Sequence, residues 1–242
     1  MKTLRECFDS LDPTTDGYSV KFDNFFDEYD TLLATCRGRV KTVLEVGVQG
    51  GGSLSLWRKY FPSLVKVVGI DTHIACQKWQ RDGVSIHIGD AANREFMDGV
   101  CREEGNFDVV IDDGSHLAEH QRRTFDIMFP HVNDKGWYII EDTQCSYWPR
   151  LGGGYKKDGV MELCKDLADC VTWWAIEGKD RMRQSPEVAK YNGLIRSVHV
   201  HPASVFIEKG PERDHNEHYA FSNPAQHADW VKHHPRIYNG QV

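Results

Sequence analysis

Between residues 41 and 141 the chain repeats one pattern. A short run of β-branched and aliphatic residues ends on a small or acidic residue, and a longer, more polar stretch follows. The runs are Thr42 to Gly47, Lys66 to Asp71, Val84 to Ile88, Phe107 to Asp112 and Trp137 to Glu141. Short Val/Ile-rich strands separated by helix-length segments specify a parallel sheet with helices on both faces. The second, fourth and fifth runs are almost continuously apolar, as the interior of such a sheet requires. Ser53 to Tyr60 reads as the first connecting helix, with Ser53 as its N-cap. After residue 150 the rhythm changes. Gly152-Gly153-Gly154 marks a loop, Val160 to Leu167 suits a helix, and Ile195 to His201 with Ala203 to Lys209 reads as a closing antiparallel hairpin around His201-Pro202. The expected architecture is therefore α/β, a mostly parallel seven-stranded sheet ending in an antiparallel hairpin, in one domain over residues 41–210. A lead-in over 1–40 carries Phe22, Phe25, Phe26 and Tyr29 on one helical face, suited to docking on the main body. The tail, 211–242, is polar and His-rich.

Composition excludes several function classes. The chain has 242 residues, and 29 Lys+Arg against 36 Asp+Glu leave a formal charge of −7. An acidic chain without a Lys/Arg block is a poor partner for a nucleic-acid backbone or an anionic membrane. No run approaches the ~18 apolar residues of a membrane helix, and the charged start lacks the apolar core of a secretory signal. Seven scattered cysteines without a CxxC pair read as reduced thiols of a cytoplasmic protein. A length of 242 residues can bury roughly 70% of the unfolded surface, enough for a full core. A monomer and a homo-oligomer are both compatible with this composition.

In an open parallel sheet, ligands bind beyond the carboxyl ends of the strands. Here those ends carry Glu45-Val46-Gly47-Val48-Gln49-Gly50-Gly51-Gly52, Asp71, Gly89-Asp90, Asp112-Asp113-Gly114-Ser115-His116 and Glu141-Asp142-Thr143-Gln144. The first loop departs from a dinucleotide fingerprint. Gln49 stands where a glycine would let backbone approach a pyrophosphate, and Glu45 is a poor neighbour for phosphate. Asp71, twenty residues after Gly51, is placed for a ribose hydroxyl. A ribose without a phosphate, plus a positive charge, describes S-adenosylmethionine.

Asp113, His116, Glu141 and Asp142 form a second constellation, on loops that follow neighbouring strands. Several carboxylates in close quarters do not all stay ionised without a compensating cation. Oxygen ligands favour Mg²⁺, with Mn²⁺ or Ca²⁺ as alternatives, over zinc; solvated acidic turns are the competing reading. His116, three residues after Asp113, has the side chain suited to remove a proton at neutral pH. His73, His87, His120 and His131 read as ordinary surface or core histidines. The pairs His199/His201, His215/His218 and His233/His234 lack the setting of a metal site. Tyr147, Trp148 and Tyr155 suit either sugar stacking or loop packing.

Several stretches together resemble the metal-dependent sugar O-methyltransferases of macrolide biosynthesis, the mycinamicin and macrocin type, with related rhamnosyl O-methyltransferases. They are Val43-Leu44-Glu45-Val46-Gly47-Val48, Gly51-Gly52-Ser53-Leu54, Gly69-Ile70-Asp71, Gly89-Asp90, Ile111-Asp112-Asp113-Gly114-Ser115-His116 and Ile139-Ile140-Glu141-Asp142-Thr143-Gln144. The resemblance covers roughly residues 12 to 210 and implies a Rossmann-like class I methyltransferase fold. It further implies Mg²⁺ on Asp113, Glu141 and Asp142, His116 as general base, and S-adenosylmethionine among Glu45, Gly47, Gly51, Ser53, Asp71, Asp90 and Asp112. The implied acceptor is a sugar or glycan hydroxyl, such as one of rhamnose, with Tyr18, Tyr147 and Trp148 as candidate contacts. The sequence departs from the family at Gly17, where a lysine is usual. Two other readings share the fold: a cephalosporin-hydroxylase-like metal enzyme and a methyltransferase for a small catechol-like diol.

Overall fold

The computed structural model describes residues 1–173 and 184–210, together with Lys232. The expected His-rich tail, with the His215/His218 and His233/His234 pairs, lies outside the described residues except for Lys232. Seven strands form one sheet: β1 (Thr42–Val46), β2 (Lys66–Asp71), β3 (Val84–Ile88), β4 (Phe107–Asp112), β5 (Val132–Glu141), β6 (Ile195–Val200) and β7 (Ser204–Lys209). Their order is β3-β2-β1-β4-β5-β7-β6. The first five run parallel, and β7 lies antiparallel to both β5 and β6. The strand order reverses between β1 and β4, so a crevice opens above their carboxyl ends.

Period-two alternation divides the strand residues between two cores. Leu44, Val46, Val68, Ile70, Val110, Tyr138 and Ile140 pack on one face with α4 (Arg94–Glu104), α5 (Ala118–Met128), α6 (Val160–Val171) and α7 (Pro186–Tyr191). Val43, Val67, Val109, Ile111, Trp137 and Ile139 pack on the other with α1 (Leu4–Asp9), α2 (Asp23–Leu32) and α3 (Gly52–Tyr60). By the same parity Glu45 and Glu141 belong to the α2 face, while Asp112 belongs to the opposite one.

Local chemistry sets the helix starts. Thr3 and Glu6 close a capping box on α1, and Asn93 and Ser185 accept from Phe96 and Val188 to cap α4 and α7. On α2, Phe25, Phe26 and Tyr29 are buried, and full burial of a Phe contributes about 1.5–3 kcal/mol. Phe22, expected on the same face, precedes the helix and is exposed.

Two further expectations are corrected. Gly51, in a left-handed conformation, is the N-cap of α3, and the Ser53 hydroxyl donates instead to Glu45 Oε2 at 2.7 Å. The helix begins one residue early because that carboxylate, buried at the end of β1, needs the donor more than the helix does. Strand β5 begins at Val132, five residues before the apolar run, because a register shift lets Val132 pair with Phe107. Among the described residues, no helix is long and apolar enough to cross a membrane.

Candidate active site

A crevice of about 800 Å³ opens above β1, β2 and β4. Its walls include Gly47, Ser53, Asp71, Asp90, Asp112, Asp113, His116 and Asp142. Gly47 has φ +95°, and a Cβ there would lie 2.0 Å from the Asp113 carbonyl oxygen, so only glycine lets the β1 and β4 loops meet. The Asp71 carboxylate holds the first loop open. Its Oδ2 accepts from the N–H of Val48 and of Gln49, each at 3.0 Å, and its Oδ1 accepts from the N–H of His73 at 2.8 Å. Burial opposes ionisation, yet these backbone donors keep the Asp71 carboxyl below its ordinary pKa. Asp90 Oδ1 accepts from the N–H of Ala92 at 2.8 Å.

The lead-in roofs this loop. Tyr18 N–H donates to Gly50 O at 3.2 Å, Gly52 N–H donates to Tyr18 O at 3.0 Å, and Tyr18, Ser19 and Val20 line the crevice. Gly17 permits this path, since its φ is +80° and a Cβ would lie 2.1 Å from Gly50 O. Four residues after Gly17, Lys21 enters the acidic constellation. Its Nζ donates to Glu141 Oε2 at 2.7 Å and to Asp113 Oδ2 at 2.8 Å, and stands 3.8 Å from Glu45 Oε1. The Tyr29 hydroxyl donates to Glu141 Oε1 at 2.7 Å.

The acids therefore separate into two groups. The inner group is Glu45 and Glu141, fully buried around Lys21. Burial pushes the Glu45 carboxyl up to about 7, against the pull of Lys21 and Ser53. Burial likewise raises Glu141, opposed chiefly by Lys21. Burial alone would depress the Lys21 ammonium, but Asp113, Glu141 and Glu45 outweigh it and hold it protonated. Asp112 lies apart on the other face, near the Tyr138 hydroxyl, and burial raises it to about 7. The outer group is Asp113, His116 and Asp142, each of which offers a ligand atom within 4.8 Å of the other two. His116 Nε2 lies 3.3 Å from Asp142 Oδ2, and Gln144 Nε2 donates to Asp142 Oδ1 at 3.0 Å. His116 and Asp142 have φ values of +56° and +57°, and Gln49 has +43°. Such strain in non-glycine residues collects where function requires a fixed side-chain direction.

The chain is similar to known proteins over most of its length. The chain is 35% identical over 199 residues to mycinamicin VI 2''-O-methyltransferase of Micromonospora griseorubida, spanning 77% of this chain and 48% of that one. It is 40% identical over 162 residues to L-olivosyl-oleandolide 3-O-methyltransferase of Streptomyces antibioticus, spanning 61% and 41%. Among solved structures it matches MycE, the methyltransferase of the mycinamycin biosynthetic pathway in complex with Mg and SAH. There the TM-score is 0.75 at 29% identity over 88% of this chain and 55% of that one. This chain belongs to the same family as these sugar O-methyltransferases. Its fold is the Rossmann-like class I methyltransferase fold expected from the sequence. No protein-family model matches the chain. The chain spans about half the length of the curated relatives it matches.

Against that family, the predicted site residues fall into three sets. Gly47, Ser53, Asp71, Asp90, Asp112, Asp113, His116, Asp142 and Tyr18 share the crevice. Glu45, Gly51 and Glu141 lie just beneath it, outside its lining. Tyr147 and Trp148, on the loop after β5, are exposed and also outside the lining. The sequence reading missed Lys21, Tyr29 and Gln144, and it took His73 and His120, both on the crevice wall, as ordinary histidines. The donors fit the groups the family implies. Asp113 and Asp142 bring two carboxylates within 4.8 Å of each other, a donor pair suited to a hard divalent ion, and His116 Nδ1 is buried beside them without a hydrogen-bond partner. The crevice offers the Asp71 carboxylate and a tight glycine turn, with Lys78 also in its lining.

Proposed function

We propose that this protein is an S-adenosylmethionine- and Mg²⁺-dependent O-methyltransferase acting on a sugar hydroxyl, such as one of a rhamnosyl group, in the cytoplasm. The observation that carries the reading is the outer group Asp113, His116 and Asp142 set in the wall of a crevice that begins at a phosphate-averse glycine loop. Supporting it, the relatives at 32–40% identity are named as methyltransferases for sugars on macrolide or tetracenomycin scaffolds.

Asp71 and Asp90, at adjacent strand ends, would hold S-adenosylmethionine together with the Gly47 turn, which lines the same crevice. Asp113 and Asp142 hold the metal, with Glu141 as the third carboxylate behind Asp113. When bound, these two groups supply the transferable methyl and the positive charge that acidifies a chelated hydroxyl. His116 accepts the acceptor's proton on the ring nitrogen that does not face Asp142, and Asp142, 3.3 Å from Nε2, stabilises the imidazolium. Gln144 fixes the Asp142 carboxylate for this role. Holding the acceptor and the cofactor together in one crevice is how these residues would lower the barrier. Tyr18 at the crevice mouth contacts the acceptor, with Tyr147 and Trp148 further out.

The experiment is methyl transfer from labelled S-adenosylmethionine to rhamnosyl glycosides, free rhamnose and catechol, with Mg²⁺ present. Label in a rhamnosyl product supports the reading. Label only in catechol, or in none of the three, overturns it.

A further inference from the structure

Lys21 is a buried cation of this centre that neither the metal nor the proton transfer uses. Its side chain is 2% exposed, and its ammonium is in contact with Asp113 Oδ2 and Glu141 Oε2 and lies 3.8 Å from Glu45 Oε1. The Trp57 ring closes another side, with its centroid 5.6 Å from Nζ. The position is fixed from the backbone as well, because the Gly17–Val20 strap is hydrogen-bonded to the Gly50–Gly52 turn immediately before Lys21. A lysine held this way loses its side-chain freedom and its hydration, so it is retained for its charge.

The consequence falls on Asp113, which belongs to both groups of acids. Its Oδ2 faces Lys21, while the carboxylate also belongs to the outer cluster with His116 and Asp142. We propose that Lys21 is the resident cation of the inner acids: it neutralises Glu141 and Asp113 Oδ2 and weakens the binding of the divalent ion that the carboxylates of this centre would hold. The inference rests on the metal reading given above. It makes Lys21 a positioning residue, one that acts through Asp113 and touches no substrate. A purely structural ion pair would hold α2 against the sheet without affecting the outer site. A resident cation also repels the incoming ion, and that repulsion falls off only slowly in a buried setting.

The test is calorimetric titration of Mn²⁺ into metal-free wild-type protein and Lys21→Met, with near-UV circular dichroism on both. Lys21→Met keeps the length of the side chain and removes its charge. Its Mn²⁺ affinity is expected to rise about tenfold or more, because three carboxylates then face the ion and the ammonium is gone. A folded Lys21→Met that binds Mn²⁺ with wild-type or lower affinity overturns the inference and leaves the metal reading standing. Wild-type protein that binds no Mn²⁺ overturns both. If metal-free Lys21→Met does not fold, its refolding is expected to become Mn²⁺-dependent, at concentrations below those that saturate the wild type. A variant that stays unfolded at saturating Mn²⁺ overturns the inference.

Discussion

Asp142 and His116 meet with Oδ2 and Nε2 3.3 Å apart, each on a left-handed backbone, across the gap between the loops that follow β5 and β4. Neither residue is glycine, so each position carries a conformational cost of about 1–2 kcal/mol, which the surrounding structure must offset. The pair is thereby fixed in direction before any ligand arrives.

Substituting His116 by Asn keeps a residue that tolerates the left-handed region and removes the imidazole. Turnover is expected to fall by about 10²–10⁴-fold, the usual contribution of a general base, with the thermal midpoint nearly unchanged. Initial rates across pH and a melting curve check this. A variant with wild-type turnover at neutral pH removes His116 from the chemistry.

Chelation should act on turnover rather than on cofactor affinity. Treatment with EDTA is expected to lower methyl transfer by about 10²-fold or more. Mg²⁺ or Mn²⁺ should restore it, while S-adenosylhomocysteine binding measured by calorimetry stays within a few-fold. Full turnover in the chelated protein would contradict the assignment of Asp113 and Asp142.

Gly47→Ala places a methyl group 2.0 Å from the Asp113 carbonyl oxygen on a backbone with φ +95°. The loops of β1 and β4 must part, at an expected cost of about 2 kcal/mol or more in urea unfolding and with loss of S-adenosylhomocysteine binding. Gly38, whose Cβ would meet nothing within 4 Å, is the control. Gly38→Ala should leave both quantities nearly unchanged.

The Asp71 carboxylate, held below its ordinary pKa by three backbone donors, contributes stability that is present above the unfolded-state value of about 3.9 and is lost as pH falls through the lower folded value. Asp71→Asn is expected to cost about 1–3 kcal/mol at pH 7. The gap between variant and wild type should close below about pH 4. Urea midpoints at pH 7 and pH 3 measure it, and a gap of equal size at both values would refute the linkage.

The sheet was legible because each strand announces itself: Val67-Val68 and Val109-Val110-Ile111 are too apolar for anything but a buried strand, and each ends on a carboxylate. The two faces of the acidic centre were legible in principle. Period-two parity places Glu45 and Glu141 opposite Asp112. Asp142 lies on a left-handed turn, and no sequence signal marks a left-handed aspartate. Lys21 escaped for a different reason. A count of clustered carboxylates demands a cation without saying whether it is a metal or an ammonium, and the lysine lies 92 residues from Asp113 and 120 from Glu141. Ser53 misled in the opposite direction. Its cap signal was genuine, but a buried carboxylate competed for the hydroxyl.

The strand rhythm invites a cut near residue 40, where the first β-run begins. A fragment started there would lose the ammonium of Lys21 and the phenol of Tyr29, and so strand two carboxylates in the interior with no partner from the first forty residues. The stretch that looks most like a dispensable leader is therefore the part of the chain that makes the acid-rich floor tolerable.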